Sequence, residues 1–349
     1  MLLTCLRDLQ WRARRFLIAG LGASVVFALT LVLSGLTSSF HAEATRVVDA
    51  VGADTWVVPQ GVDGVFTTIS IVPTSLAAEV AKEPGVSRAD PIVVLHHTVH
   101  HHGVRDVNLI GYAAGGLGQP PLRSGRLPQA RDEVVVDDAL GAGKGETFGL
   151  AGRTVTVVGL VHGLTINAGQ PLVFLRLSDA QQLLVKGAPV ANAVVTRGTP
   201  TRLPAGYAAR DRQQTRESLL RPLKGALDSL HLTLLLLWGV AALVIGSVVY
   251  LSALERVRDF AVYKATGWST RDLALGLALQ SGLLSTAAAL LGLVLAQGAL
   301  PLFPLTFQVP LSARLLLPAV GLGVGLLASA AGLRRAVGVE PALAFGGPG

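Results

Sequence analysis

The chain has 349 residues, of which 51% are hydrophobic and only 15% charged, with a mean hydropathy of +0.55 and a formal net charge of +7. Soluble domains carry about 25% charged residues, so the composition excludes an ordinary soluble protein and points to long uncharged blocks. Most of the positive charge lies beside those blocks, where anionic lipid attracts it, and it requires no nucleic acid.

A bilayer core is crossed by about 20 apolar residues in a helix. Runs of that length fall at 16–38, 231–253, 273–297 and 314–333. The expected fold is therefore a membrane α-helical protein with four transmembrane helices and a large α+β extracytoplasmic domain inserted between helices one and two.

Residues 1–15 are basic, with Arg7, Arg12, Arg14 and Arg15, and hold the single cysteine, Cys5. A basic front, an apolar stretch and Ala42-Glu43-Ala44 have the form of a secretory signal. The uncharged stretch is about 25 residues, however, against roughly 7–15 in a signal core, so the first run reads as a retained anchor.

Residues 39–230 have the composition of a soluble domain. Its β-like runs are "DTWVVP", "PIVVLHHTV", "DVNLIGY", "DEVVVDD", "RTVTVVGLV", "PLVFLRL" and "NAVVTRG", separated by Gly and Pro clusters. Helices fit "TSLAAEVAKEPGV" and "LSDAQQLLVKG". The whole reads as one mixed domain, of one or two lobes. Without cysteine it has no disulfide to stabilise it.

Two stretches in this domain suggest chemistry. "HHTVHHH" at 96–102 puts His96, His100 and His102 on one face of a strand, which makes them candidate metal ligands. No carboxylate or cysteine lies close in sequence, so the expected reading is a solvated strand with no metal. "GAGKGET" at 141–147 has the look of a phosphate loop, but Asp138 stands at the first Gly position and Gly145 follows Lys144. It reads as a Gly-rich turn. No triad or carboxylate pair is placed for catalysis, so the chain is not read as an enzyme.

Before the second run, Leu219, Leu220, Leu223, Leu227, Leu230 and Leu234 recur at helical spacing. They predict a helical stalk continuous with that run and kinked at Pro222. Arg210, Arg212, Arg216, Arg221 and Lys224 make the stalk basic. A solvated face is the expected reading, with anionic headgroups or an acidic substrate as the alternative.

The segment 254–272, "LERVRDFAVYKATGWSTRD", is charged and lies between two apolar runs. Val257, Phe260 and Ala261 give a short amphipathic helix. Gly267 supplies a left-handed stop, and Ser269 with Asp272 a capping box for the next helix. Mixed charge beside aromatic and apolar anchors suits a protein groove better than a lipid surface, so this helix is expected to dock a cytoplasmic partner.

Small residues at Ala242 and Gly246, and at Gly321 and Gly325, have the spacing that lets helices approach in lipid. They are read as helix-packing positions and candidates for a dimer seam. No ionisable residue lies mid-span, which argues against an ion-coupled carrier. Lys and Arg flank residues 1–15, 254–272 and 334–349 but not the 298–313 connection, so both termini are expected in the cytoplasm.

"ERVRDFAVYKATGWS" resembles the cytoplasmic loop of FtsX/MacB-type ABC permeases. Glu255, Arg256, Arg258, Ala261, Val262, Lys264, Ala265, Gly267 and Ser269 match its pattern, while Asp259 replaces the usual Glu and Thr266 an aliphatic residue. The tail "LRRAVGVEPALAF" resembles the family's ending. "GADTWVVPQG", "VNLIGY", "GLGQPPLRSGRLPQARDEVVVDDAL" and "RTVTVVGLV" are similar to the periplasmic core domain of its DevC- and HrtB-like branch.

The resemblance implies a homodimeric permease in a bacterial plasma membrane, bound to two copies of an ABC ATPase that holds ATP and Mg. No cofactor is expected in this chain. Glu255, Arg256, Arg258, Asp259, Phe260, Lys264, Ala265, Gly267 and Trp268 would form the coupling helix. The implied work is mechanotransmission that exports or extracts an amphiphilic small molecule, lipid, haem or peptide. Alternatives are FtsX-like signalling to an extracytoplasmic cell-wall hydrolase and small-solute import.

Overall fold

The computed structural model describes residues 13–68, 70–101, 103–255, 262, 267 and 269–299, with single positions between 311 and 327. The chain divides into two compact units. One is Ser39–Ala226; the other joins Met1–Ser38 to Leu227–Gly349.

The described elements, in chain order, begin with helix α1 (Ala13–Val51), β1 (Thr55–Pro59), β2 (Val72–Pro73), α2 (Leu76–Val80), β3 (Val86–His100) and β4 (Val104–Tyr112). There follow β5 (Ser124–Gly125), β6 (Glu133–Asp137), β7 (Thr147–Leu150), β8 (Arg153–Val161), β9 (Thr165–Ile166) and β10 (Gln170–Arg176). The remainder are α3 (Leu177–Val185), β11 (Val190–Ala191), β12 (Ala193–Gly198), β13 (Tyr207–Asp211), α4 (Arg212–Leu220), α5 (Lys224–Glu255) and α6 (Thr270–Ala299).

The Ser39–Ala226 unit, the outer unit of the expected topology, is built on a mixed sheet of order β13-β1-β12-β3-β4-β10-β6-β8-β5. The β4–β10 and β6–β8 pairs are parallel, and the other pairings along this path are antiparallel. Its central strands are apolar at consecutive positions because both faces are covered. Trp56, Val58, Ile92, Ile110, Val135 and Phe174 point into one core. Val57, Val93, Leu109, Val134, Val136 and Val173 point into the other. The first core is closed by Ala44, Val47, Val48 and Val51 of α1 and by Leu219 of α4. The second is closed by α2, α3 and β7 through Leu76, Val80, Ala180 and Phe148.

All seven β-like runs appear as strands, as β1, β3, β4, β6, β8, β10 and β12. The five-residue edge strand β13 was not anticipated. "TSLAAEVAKEPGV" yields a helix only over Leu76–Val80, because Pro84 and Gly85 end any continuation. The largest difference is α1. It runs 39 residues, about 58 Å at 1.5 Å per residue. The first apolar run was expected to end at 38, yet the helix continues to Val51, past the Ala42-Glu43-Ala44 stretch.

At the start of β6, Glu133 accepts a bidentate hydrogen bond from Arg126 and further ones from the amides of Gln129 and Ala130. The Arg126 hydrogen bonds lead these interactions in holding the Glu133 carboxyl down at about 2, against an ordinary 4.5. A carboxylate with a lowered folded pKa stabilises above its unfolded pKa and loses that contribution as pH falls through the folded value. Glu133→Gln should therefore destabilise the outer unit by about 1 kcal/mol at neutral pH. The difference from wild type should shrink between pH 4.5 and about 2. Hydrogen exchange of the amides of residues 129–136 in the purified chain, followed against pH, checks this.

In the other unit α1, α5 and α6 share an apolar interior of Ala23, Phe27, Leu31, Ala241, Ile245, Ala288, Ala289 and Ala296. Buried hydroxyls there are satisfied within their own helix: Ser24 donates to the Leu21 carbonyl at 2.8 Å and Thr30 to that of Val26 at 2.8 Å. Leu232, Leu235, Leu236 and Leu243 form an exposed apolar stripe on α5, as a lipid or a partner helix requires.

Candidate functional site

Three places bear on function: the segment after α5, the root of the outer unit, and the interior of the apolar helices.

The segment 254–272 takes in the last two residues of α5, which ends at Glu255, and the first three of α6, which begins at Thr270. Val262 is helical and half exposed. Gly267 has φ of 95°, a backbone conformation that L side chains rarely adopt, as a left-handed helix stop requires. Arg256, Arg258, Asp259, Phe260, Lys264, Ala265 and Trp268 lie outside the described residues, as do Gly321 and Gly325.

At the root of the outer unit, the stalk splits into α4, a 3₁₀ turn over Arg221–Leu223, and α5. The tightening falls at Pro222, the expected kink. Asp211 and Gln214 form a capping box that starts α4. Four basic residues of this stalk, expected on a solvated face, stay partly exposed and also bond to the N-terminal part of the same unit. Arg216 donates to Asp49 of α1 at 2.7 Å. Arg212 donates to Asp54 at 2.8 Å and to the Ala53 carbonyl at 2.7 Å. Arg210 donates to the Val62 carbonyl at 3.1 Å, and Arg221 to Asp63.

The Arg216–Asp49 pair ties α4 to the last turn of α1, and the others tie β13, the start of α4 and the 3₁₀ turn to the chain just after α1. The partners lie up to 167 residues apart, so no local spacing announces them. A local signal did exist for α1: Ala44, Val47, Val48 and Val51 follow the i, i+3, i+4, i+7 pattern of an amphipathic helix.

The same part of α1 also holds the turn between β8 and β10. Glu43, only 7% exposed, accepts from the Thr165 hydroxyl at 2.7 Å. Arg46 donates to the Gly163 carbonyl at 2.9 Å. From the other side Asp137, fully buried, accepts from the amides of Ala139 at 3.0 Å and Leu164 at 2.7 Å. Burial pushes the Asp137 carboxyl above the usual carboxylate range.

Among the apolar helices the buried positions of α5 are Ala241 and Ile245. Ala242 and Gly246, the expected packing pair, are half-buried neighbours one residue on. The close approach lies elsewhere. A Cβ on Gly292 would stand 2.9 Å from Phe27 Cβ and 2.9 Å from the Ser24 carbonyl oxygen, so α6 meets α1 at backbone distance. Ala288, Gly292 and Ala296 form a small-x-x-x-small-x-x-x-small stripe that the sequence reading passed over.

His96 lies on exposed strand, with Nδ1 3.4 Å from Asn108 Oδ1 and Nε2 3.9 Å from Asp106. His100 is exposed and His102 is outside the described residues. His101 is buried, with its ring 6.0 Å from that of Phe148. Among the described residues no group of three His, Cys, Asp or Glu is placed to hold a metal. "GAGKGET" forms the turn into β7, closed by Glu146 accepting from the Gly143 amide at 3.0 Å.

Three described helices are long and apolar enough to cross a membrane: Gly20–Val51, Arg212–Ser247 and Gly282–Ala299. A family model described as FtsX-like permease C-terminal matches residues 232–341, which include the 254–272 segment. Two uncharacterized ABC transporter permeases of Mycobacterium tuberculosis H37Rv, Rv2563 and Rv0072, are similar from end to end. They are 45% identical over 349 residues and 44% over 350, each match covering 100% of both chains.

The chain belongs to the FtsX/MacB-type ABC transporter permeases.

Among solved structures, the permease is similar to the extracellular domain of the ABC-type transporter YknZ from Gram-positive bacteria. That match has 11% identity and a TM-score of 0.34, covering 46% of this chain and 99% of that one. It is also similar to the periplasmic region of MacB from Actinobacillus actinomycetemcomitans, with 12% identity and a TM-score of 0.33, covering 49% and 95%. As an ABC permease the chain is a membrane subunit, and ATP hydrolysis belongs to a partner.

Proposed function

We propose that the permease works as a homodimer with two ATPase subunits and transmits their motion to the outer unit, exporting or extracting an amphiphilic compound. In this reading four spans cross the inner membrane, both termini are cytoplasmic, and residues 255–268 seat in the ATPase. ATP and Mg act in that partner.

One observation supports transmission above the rest. Helix α1 is unbroken from Ala13 to Val51, and its last turns supply Ala44, Val47, Val48 and Val51 to the core of the outer unit. A helix is stiff along its axis, so a shift or rotation of the apolar part reaches the sheet without an intervening loop. The Asp49–Arg216 pair joins α1 to α4 and would pass the same movement to the second root helix.

Gly267→Pro and Lys264→Glu test the coupling segment. Proline fixes φ near −65°, whereas position 267 has φ of 95°, so the stop cannot form. Lys264→Glu reverses a charge within the proposed coupling segment. Both variants should abolish permease-stimulated ATP hydrolysis in the reconstituted complex while leaving the outer unit folded by circular dichroism. Stimulation at the wild-type level in both would reject the assignment.

A further inference from the structure

The segment 163–169, which holds β9 between β8 and β10, is wound against its own preference. Asn167 and Ala168 have φ of 48° and 68°, and neither is glycine. A side chain stays in this left-handed region only where its surroundings fix it there, and such places often have two states. Here two buried carboxyls do the fixing. Glu43 of α1 accepts from the Thr165 hydroxyl and from the amides of Ala168 and Gly169. Asp137, at the end of β6, accepts from the Leu164 amide on the other side. Arg46 of α1 completes the grip by donating to the Gly163 carbonyl.

Both carboxyls are shut off from water, Glu43 at 7% and Asp137 at 0% exposure. The charge that faces Glu43 is Arg46 on its own helix; the 165–169 turn brings only hydrogen-bond donors, and Leu219, Leu220 and Leu223 of the stalk bring no charge. Asp137 is faced by Asp138, next in the chain, and by His162 beyond the end of β8. Asp138 in turn pairs with His162 and Arg123. These partners offset part of the cost of burial, yet burial remains the leading influence and raises both carboxyls above their ordinary 4.5 and 3.8. Opening the segment returns them to water, where they give up their protons more readily. Mass action therefore makes opening rarer as pH falls, the opposite sense to Glu133.

We propose that the segment 163–169 is a proton-sensitive clasp on α1, closed while Glu43 and Asp137 are neutral and released when both are ionised. Closed, it locks the last turns of α1 to the β9–β10 hairpin. Open, it frees that face of the helix and relaxes the left-handed turn at Ala168. Proton concentration around this unit then sets how firmly it grips α1. The clasp lies within the Ser39–Ala226 unit, so its failure would leave the coupling of residues 255–268 to the ATPase untouched.

The test is hydrogen exchange of the full-length chain in nanodiscs of zwitterionic lipid, without ATPase, followed from pH 7.5 to pH 4.5 and corrected for the intrinsic rate at each pH. Opening at residues 163–169 should be at least about threefold rarer at pH 4.5 than at pH 7.5. The amides of residues 108–111 in β4 should show no such trend. Glu43→Gln combined with Asp137→Asn leaves no carboxyl to titrate and should give the same opening at both ends of the range. Ala168→Gly, which removes the side chain from the left-handed position, should make opening about fivefold rarer at every pH and keep the pH dependence. Opening in the wild type that is flat or rises on acidification overturns the clasp. So does a trend shared by residues 108–111, one that survives the double variant, or one abolished by His162→Gln. If the double variant misfolds, the single variants decide: each should lose part of the slope, and a full slope in both overturns the clasp.

Discussion

Gly292→Leu should separate α6 from α1 and destabilise the helical unit by about 3 kcal/mol. The added Cβ alone would stand 2.9 Å from Phe27 Cβ and 2.9 Å from the Ser24 carbonyl oxygen. The second of these is backbone, so no rotamer change relieves it. Gly292→Ala already introduces that atom and should cost about 1 kcal/mol, with leucine adding the rest of its volume to a closed interface. Gly298 in the same helix has nothing within 4 Å of its Cβ position, and Gly298→Ala should be neutral or mildly stabilising. Reversible unfolding of the purified chain in bicelles gives all three values. Equal behaviour of the 292 and 298 variants would show that the α1–α6 approach does not hold the unit together.

How much of this chain's structure its sequence announces follows the range of the interactions. Apolar runs such as Leu172–Leu175 of β10 are marked by their own residues, because a strand covered on both faces must be apolar at each position. The left-handed position at Gly267 was legible for the same local reason. The continuation of α1 beyond the expected span to Val51 was not anticipated, because Glu43, Arg46 and Asp49 look like the exit from a membrane. Those polar groups instead bond to residues 165, 163 and 216, which no window around them contains. The ion pairs of the partly solvated stalk arginines were not legible for the matching reason, since their carboxylate partners at 49, 54 and 63 lie far back in the chain. Small-residue spacing pointed to Ala242 and Gly246 rather than to Gly292, because any helix rich in alanine and glycine offers several such registers. The buried stripe is decided by what α1 presents at Ser24 and Phe27, and that is a tertiary fact.

The Asp49–Arg216 pair should matter far more to coupling than to stability. Its side chains are 46% and 34% exposed, and a pair that wet contributes at most about 1 kcal/mol to folding. Its place gives it a second role, because it joins the last turn of α1 to α4, the two helices at the root of the outer unit. Arg216→Ala and Asp49→Ala should each lower ATP-dependent movement of the outer unit, read by spin labels on β3 and α4, by roughly 2- to 30-fold, the range expected of a link in a coupling network. Melting of the outer unit should shift little. The swap Asp49→Arg with Arg216→Asp rebuilds the pair with its charges exchanged and should recover much of the movement, which the single changes cannot do. A double-mutant cycle in which the two alanine substitutions add independently would mean that the two helices are driven separately. The outer unit would then be moved by α1 through its buried Val47, Val48 and Val51 alone.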